Sequence, residues 1–322
     1  MRIVPAVLAV TWIVLTGTLS PASAWNDTGH QVVALIAWDE LSPGPRSKLV
    51  AMMRQAEPAT RLPSLFPEDT RAMEVRAREF FRRAATWSDL IRDVPELHHP
   101  TWHHRDFYWR QDQGRAIDLP DLHVHPENLL ERLHHFKKLL ASRTVSARER
   151  AIGIAWVLHL VGDIHQPLHC SARVTAIERK GDHGGQDFEL AQRSPPHSPG
   201  ERYSLHAYWD DMLDRAVPRR SGERLGVYLQ RAAALVVSQH PRAPLEAELK
   251  PGQFDAWARE SVVAAQSAYP PSLRRGQEPS ADYRNLGIQV ARARLALAGY
   301  RLALMLRDVG VAGPGHRSGA GC

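Results

Sequence analysis

The stretch Ile154–His169 constrains this chain more than any other, because it places polar side chains in a helix that is apolar on nearly every side. His159 and Asp163 lie four residues apart, so they project from one face of a helix, one turn above the other. Pro167 cannot extend that helix, and we expect the chain to turn there and bring His169 beside Asp163. A helix that is apolar all round is buried, and burying an imidazole or a carboxylate without a partner is costly. The stretch therefore predicts a metal ion as the partner of these side chains.

The first 24 residues have the regions of a signal peptide. Arg2 is the positive residue, residues 3–19 are mainly apolar, and Ala22-Ser23-Ala24 matches a small-residue cleavage site. A membrane span is the alternative, but the apolar run contains polar residues, glycine and proline, and it is short for a bilayer. We therefore expect cleavage after Ala24, a mature chain that begins at Trp25 without a membrane span, and an exported protein that is secreted or periplasmic.

Cysteine and histidine usage favours metal over disulfides as a source of stability. Cys170 and Cys322 are the two cysteines, too few for a disulfide framework, and the sequence does not decide whether they are paired or free. The chain has 17 histidines, which suggests metal as the stabilising element. The formal net charge of +6 suits an anionic substrate, but it suits mere solubility equally well.

Helical periodicity recurs along the chain, without an internal repeat or a series of strands. We expect one all-α domain over residues 25–309, followed by a Gly-rich tail at 310–322 that we expect to be disordered. Ser146 and Glu149 predict a capping box at the start of the central helix.

Three further segments carry specific expectations. Residues 68–91 predict one long helix, with Met73, Val75, Phe80 and Phe81 on its inner face. Residues 98–114, rich in His and Trp, predict an irregular loop. Residues 173–203 predict a long irregular loop between two ligand-bearing helices, with a short strand pair around residues 187–190. Loops of that length in a compact domain are usually functional or disordered.

Other ligand-type side chains lie at the ends or inner faces of the predicted helices. They are His30, Asp89 within Trp87–Arg92, His103 within Trp102–Asp106, and His206 with Asp210 four residues later. Imidazole and carboxylate sets of this kind suit zinc. A lone His-x-x-x-Asp pair is more often hydrogen-bonded or solvated, but two such pairs, each with a Trp close by, favour a metal site. Residue chemistry alone leaves two interpretations equally open: a zinc hydrolase, or His and Asp side chains that are hydrogen-bonded or solvated without metal.

The sequence resembles the S1/P1 nuclease family, whose members are secreted, mostly helical zinc enzymes. Trp25 and His30 resemble the start of the family's mature chain. The central family motif is present without a gap as His159–His169. The other matching motifs are Trp87-Ser88-Asp89-Leu90-Ile91-Arg92, Trp102-His103-His104-Arg105-Asp106 and Leu205–Asp210. The resemblance implies a single mostly helical domain of the phospholipase C/P1 nuclease type, and a hydrolase acting on phosphoester bonds. It implies hydrolysis of single-stranded DNA and RNA to 5′-phosphorylated products, with 3′-nucleotides as further substrates.

The resemblance also implies a role for each matching residue. The first zinc ion would be held by Asp89, His103, His159 and Asp163. The second would be held by the Trp25 amino and carbonyl groups, His30 and the bridging Asp163. The third would be held by His169, His206 and Asp210. A zinc-activated hydroxide would attack the phosphate and Arg92 would stabilise the transition state. Asp106 would have a supporting role near the phosphate and base, and Gln186 would lie at the base pocket.

The chain departs from the family's pattern at several positions that bear on specificity. His104 stands where the family commonly has an aromatic residue that stacks on a base. Gly184-Gly185-Gln186 stands where the family has Gly-Gly-Asn, and residues 192–202 resemble an insertion. We interpret His98, His99 and His104 as loop residues outside the ligand set.

Two other functions compete with a nuclease. The related zinc-dependent phospholipase C shares the three-zinc site, but its second ligand lies further from the N-terminal Trp, and its last ligand is usually Glu where this chain has Asp210. A non-catalytic exported zinc protein would close four positions with protein ligands, whereas the third predicted ion has three ligand residues. We expect a monomer. The sequence leaves open the DNA to RNA preference, the base preference, any duplex or phospholipid activity and the pH optimum.

Overall fold

The computed structural model of this protein describes residues 25–191 and 203–309. In these two segments, twelve α-helices and a sheet of three short strands form the regular structure, so the predicted mostly helical fold is confirmed. The helices are α1 (Asp27–Glu40), α2 (Pro43–Met53), α3 (Met73–Ala84), α4 (Trp87–Leu90), α5 (Leu129–Ala141), α6 (Ala147–Asp163), α7 (Leu205–Asp210), α8 (Met212–Ala216), α9 (Leu225–Gln239), α10 (Arg242–Leu245), α11 (Phe254–Gln266) and α12 (Ala281–Leu306). The predicted signal peptide and C-terminal tail lie outside the described residues.

Helix α6 begins and ends where its sequence predicts. The Ser146 side chain accepts a hydrogen bond from the Glu149 N–H, and the Glu149 carboxylate accepts one from the Ser146 N–H, which confirms the capping box. Residues 153–163 are all buried, and the helix ends at the last of them. A turn follows, and a short 3₁₀ helix, Pro167–Cys170, then carries His169.

Helices α1, α6 and α12 pack against one another around the buried end of α6. The Asn26 side chain caps α1 by accepting a hydrogen bond from the Gly29 N–H at 3.2 Å. A Cβ atom at Gly299 would lie 2.5 Å from the Cβ of Ile36, so the glycine permits close approach of α12 to α1. This packing directs one side of α1 towards α6.

The prediction of one helix over residues 68–91 is wrong, because the chain turns twice within it. The Asp69 carboxylate accepts the Arg71 N–H at 3.0 Å, a local bond that competes with helix formation, and α3 begins only at Met73. Met73 is 58% exposed and Val75 is 47% exposed, so neither is an inner residue. Phe80 and Phe81 are buried as predicted. The break between α3 and α4 allows the chain to turn before the Trp87–Arg92 motif.

A small sheet that we did not predict takes its central strand from the segment 98–114, for which we expected an irregular loop. Strand β1 (Phe107–Asp112) pairs with β2 (Arg115–Asp118) in antiparallel fashion and with β3 (Ser171–Arg173) in parallel fashion. The expectation of an irregular loop throughout residues 98–114 is therefore wrong. Burial along β1 changes from buried to exposed halfway instead of alternating, so the strand lacks the usual period of two. The β1–β3 pairing joins the segment after His104 to the segment after His169.

The long loop before α7 has little regular structure in its described part. The predicted strand pair is present only as a single antiparallel bridge between Glu189 and Ser204. The predicted insertion at residues 192–202 lies outside the described residues. None of the helices in the described part of the chain combines the length and the apolar character needed to cross a bilayer.

Candidate metal centre

The last turn of α6 carries the first group of ligand-type side chains. Asp163 Oδ2 lies 3.0 Å from His103 Nδ1, and Oδ1 lies 3.3 Å from His159 Nε2. The same Oδ1 lies 3.3 Å from His30 Nε2. His159 Nδ1 lies 2.8 Å from the carbonyl oxygen of Ala85, which makes Nδ1 the donor. The lone pair of His159 Nε2 therefore faces the carboxylate and the other rings, as a metal ligand would.

His30 reaches this group because residue 162 is glycine. A Cβ atom at Gly162 would lie 2.6 Å from His30 Nδ1, so any other residue would displace the imidazole. The His30 ring stacks on the His159 ring at a centroid distance of 3.8 Å. Neither ring nitrogen of His30 has a hydrogen-bond partner, although both are buried. Gly162 thus provides space for a ring that protein contacts do not satisfy.

Helix α4 adds a carboxylate and a guanidinium to the same group. Asp89 Oδ2 lies 3.8 Å from His159 Nε2, and Oδ1 accepts a hydrogen bond from Arg92 Nη2 at 2.8 Å. Burial acts to raise the pKa of Asp89, but the nearby His159 and the hydrogen bond from Arg92 help to hold the pKa below its ordinary value. Asp89 is therefore a carboxylate in the form that binds metal.

The second group is formed by His169 and His206, whose Nε2 atoms lie 3.0 Å apart. His169 Nδ1 lies 2.6 Å from the His103 carbonyl oxygen, and His206 Nδ1 lies 2.8 Å from the Gly184 carbonyl oxygen. Each Nδ1 is therefore the donor, and two acceptor nitrogens face each other. Nitrogens bound tetrahedrally to one zinc at about 2.0–2.1 Å lie about 3.3 Å apart, close to this spacing.

Glycine at position 184 is needed for the second group. Gly184 has a φ of 61°, and a Cβ atom there would lie 2.3 Å from the carbonyl oxygen of Leu168. The same residue supplies the carbonyl that orients His206. The Gly184-Gly185 pair therefore shapes the second group.

Asp210 and Trp25 lie next to the second group. Asp210 Oδ2 is 3.7 Å from His206 Nε2, and Oδ1 accepts a hydrogen bond from Gln166 Nε2 at 2.6 Å. The Asp210 carbonyl oxygen accepts the Asn26 N–H at 3.3 Å, and Trp25 before it is fully buried. The first residue of the predicted mature chain is therefore held near α7.

The donor set fits zinc. His30 Nδ1, His30 Nε2 and Asp163 Oδ1 are buried without a hydrogen-bond partner, which is costly unless a cation binds them. Burial lowers the pKa of His30 and His169 well below the ordinary imidazole value, so these rings are neutral, as zinc requires. Burial raises the pKa of Asp163 and Asp210 well above the ordinary carboxyl value, and a bound cation would reverse that effect. Among the described residues, three groups of ligand-type side chains have ligand atoms that all lie within 4.8 Å of one another. These groups are His30/Asp89/His159, His103/His159/Asp163 and His104/His169/His206.

The structure brings the predicted ligand side chains into these two groups, and a hydrogen bond links Arg92 to Asp89 of the first group. Arg92 lines a cleft together with Asp89 and His103. Asp106 and Gln186 are not among the residues that line this cleft. Burial raises the pKa of Asp106 to about 6. The lining of this cleft thus associates Arg92 with Asp89 and His103 of the first group.

Three residues of this centre were not recognised as part of it from the sequence. Gln166 holds Asp210, Gly162 makes room for His30, and the His104 ring stacks on His169 with centroids 4.3 Å apart. Gln166 and Gly162 lie inside the central motif, and this position could have indicated that they belong to the metal centre. No signal in the sequence gave the orientation of His104.

Comparisons with known proteins agree with this geometry. The sequence model of a family described as S1/P1 Nuclease matches residues 25–310. A protein of Arabidopsis thaliana named Endonuclease 1 is 22% identical over 311 residues, which cover 94% of this chain and 92% of that protein. The matched range includes every ligand-type side chain of both groups.

Proposed function

Because the chain belongs to the S1/P1 nuclease family, and is thus a phosphoester-hydrolysing enzyme, we propose that it is an exported three-zinc endonuclease. It would cut single-stranded DNA and RNA to 5′-phosphorylated products and remove the phosphate of 3′-nucleotides. The observation that carries the proposal is the arrangement around Asp163, where three imidazoles meet one buried carboxylate with an oxygen that has no hydrogen-bond partner.

We propose that the metal ligands are those implied by the family resemblance. Asp89, His103, His159 and Asp163 would hold one ion, and Trp25, His30 and Asp163 a second. His169, His206 and Asp210 would hold a third. The distances of 3.0–3.3 Å from both oxygens of Asp163 to imidazole nitrogens support its role as the shared ligand. The facing Nε2 atoms of His169 and His206 support a separate ion there.

The protein's own side chains would bind and orient the phosphate in the cleft. When bound, zinc acts as a Lewis acid and lowers the pKa of a bound water to about 7. The Arg92 guanidinium lines the same cleft as His103, and its hydrogen bond to Asp89 fixes its direction. A guanidinium fork matches two phosphate oxygens, so Arg92 would bind the phosphate where negative charge develops. Asp106, whose pKa burial raises to about 6, would have a supporting role near the phosphate and base, and Gln186 would lie at the base pocket.

Single strands are the favoured substrate on geometric grounds. The phosphate must enter a cleft with ligand-type side chains at its base, and an unpaired nucleotide can be splayed into it. Duplex phosphates stay on a convex surface and reach such a cleft poorly.

Export and processing form part of the proposal, because the second ion needs the free amino group of Trp25. The family match begins at residue 25, and Trp25 is buried, which supports cleavage after Ala24. The rest of the proposal is one domain over residues 25–309 and a monomer. N-terminal sequencing of the exported protein should give Trp25 first. A chain that retains Ala24 has an amide in place of the amine, and we expect it to bind one zinc ion fewer.

The substrate class and Arg92 can be tested together. The chain starting at Trp25 should hydrolyse single-stranded DNA and RNA faster than duplex DNA, and Arg92→Met should lower kcat by about 10²–10³. Arg148→Met is the matched control, since Arg148 is an exposed arginine whose partner is Glu57 at 3.2 Å, away from the cleft. Activity confined to phosphatidylcholine would replace the nuclease with a phospholipase. Full activity in His206→Ala would indicate that zinc has no catalytic role there.

A further inference from the structure

We infer that His104 is a fourth protein ligand of the third ion, together with His169, His206 and Asp210. The inference rests on the proposed metal centre and changes one part of it. The family resemblance implies three protein ligands at this ion and a base-stacking role for residue 104. The structure of this chain instead brings a third imidazole to the pair formed by His169 and His206.

The distances place His104 within the second group. Ligand nitrogens of His104, His169 and His206 all lie within 4.8 Å of one another. The His104 ring stacks on the His169 ring at 4.3 Å with an interplanar angle of 26°, and its centroid lies 5.7 Å from that of His206. By contrast, the His104 and His103 centroids are 6.5 Å apart, although these residues are neighbours in sequence. His104 therefore belongs with the second group rather than the first.

Backbone hydrogen bonds hold residue 104 beside His169. The Arg105 N–H donates to the His169 carbonyl oxygen at 2.9 Å, and His169 Nδ1 donates to the His103 carbonyl oxygen at 2.6 Å. Both neighbours of His104 are thus tied to His169. The His104 carbonyl oxygen accepts the Leu129 N–H at 3.0 Å, which ties the loop to the start of α5. The position of His104 follows from these bonds on both sides.

With four protein ligands, the third ion would have no free coordination position of the kind that a catalytic zinc keeps for water or substrate. Three imidazoles and one carboxylate complete a tetrahedral zinc site, the arrangement typical of structural zinc. A phosphate oxygen would then reach the ion only as an additional fifth ligand or by displacing a protein ligand. We therefore expect the third ion to be held more tightly in this chain than three ligands would hold it.

The test compares zinc release by the zinc-loaded chain with that by His104→Phe. Phenylalanine keeps an aromatic ring over His169 but has no lone pair. We expect a chelator to remove one of the three ions from His104→Phe at least about tenfold more readily, with the other two unchanged. His135→Phe is the matched control, since His135 is an exposed imidazole on α5 and should release zinc like the wild type.

Two further measurements keep the test informative if His104→Phe folds poorly. His104→Gln, which is smaller and polar, should also release one ion more readily. A crystal structure of the wild-type chain with zinc should show a His104 nitrogen about 2.0–2.1 Å from the third ion. The inference would be overturned if both variants released zinc no more readily than the wild type, or if the His104 ring lay outside the coordination shell. Either result would leave the nuclease proposal intact. A wild-type chain that binds no zinc would instead overturn the proposed function, and this inference with it.

Discussion

The chain buries polar side chains on two sides of the end of α6, and the two sides satisfy them differently. On one side, Asp163 and His30 have buried atoms without a hydrogen-bond partner. On the other side, His165 Nδ1 donates to the Val161 carbonyl oxygen at 2.7 Å, and Nε2 accepts from Arg301 Nη1 at 2.8 Å. His165 is therefore a satisfied core histidine, although it lies two residues from Asp163.

The side around His165 forms a complete network, which we call the arginine network: Glu260, Arg294, Arg301, Ser261 and His165. Arg301 and Arg294 pair with Glu260 at 2.8 and 3.0 Å. Arg294 also donates to Ser261 Oγ at 2.7 Å, and Ser261 Oγ donates to the Ile164 carbonyl oxygen at 2.5 Å. Protein groups thus satisfy both the buried charges and a carbonyl at the helix end.

The difference shows that buried polar groups with protein partners serve the fold, whereas buried polar groups without them indicate a binding site. Where every buried donor meets an acceptor, the residues stabilise the fold and need nothing else. Where acceptors face acceptors, as His169 Nε2 faces His206 Nε2, the fold carries a cost that only a cation removes. The four predictions that follow test this contrast, from the largest expected effect to the smallest.

Loss of the shared carboxylate should have the largest effect. Asp163→Asn removes a ligand of two proposed ions, which are worth several kcal/mol of transition-state stabilisation, so hydrolysis should fall about a thousandfold. The variant should be no less stable than zinc-free wild type, because a neutral amide replaces a buried carboxylate with an unpartnered oxygen. Rates on single-stranded DNA and urea unfolding measure both effects. Retained activity would show that Asp163 lies outside the catalytic centre.

Breaking the arginine network should have the opposite pattern. Arg301→Met leaves Glu260 and His165 with fewer partners and should lower the free energy of unfolding by about 3–5 kcal/mol. Zinc affinity of the folded protein should stay unchanged. Arg307→Met is the control, since Arg307 pairs with Asp308 on the surface and should change stability by less than about 0.5 kcal/mol. A large loss of zinc from folded Arg301→Met would remove the contrast between the two sides.

Displacing His30 should weaken zinc binding by a smaller factor. A Cβ atom in Gly162→Ala would lie 2.6 Å from His30 Nδ1, so we expect zinc affinity at one ion to fall about tenfold. Gly153→Ala makes the same change in the same helix, but its Cβ would first meet the flexible Leu139 side chain at 3.0 Å. Competition with a chelator measures both variants. Equal zinc affinity in the two would contradict the role given to His30.

Zinc uptake should release protons from the carboxyl groups of Asp163 and Asp210. Burial raises the pKa of Asp163 and Asp210, so at mildly acidic pH the zinc-free folded chain holds protons there that zinc must displace. Burial lowers the pKa of His206 to about 4, so this ring is already neutral and releases none. Titration calorimetry in buffers of different ionisation enthalpy should show release that declines as pH rises through the carboxyl pKa values. A buffer-independent enthalpy would contradict this ionisation pattern.

The sequence predicted the start and end of the central helix well, and distant pairings poorly. The capping box at Ser146 and the helix end before Pro167 depend on neighbouring residues, and both are correct. The spacing of His159 and Asp163 already indicated one helix face. The arginine network was not predicted, because Arg301 meets His165 across 136 residues and a lone arginine in a helix does not indicate its partner. The sheet was missed because its strands are short and β1 does not alternate.

The most direct test of the metal centre is a zinc count on the chain that begins at Trp25. Native mass spectrometry should show three zinc ions per chain, and fewer in Asp163→Asn. A wild-type chain without zinc, or a count that Asp163→Asn leaves unchanged, would contradict the account of the buried carboxylate at the end of α6.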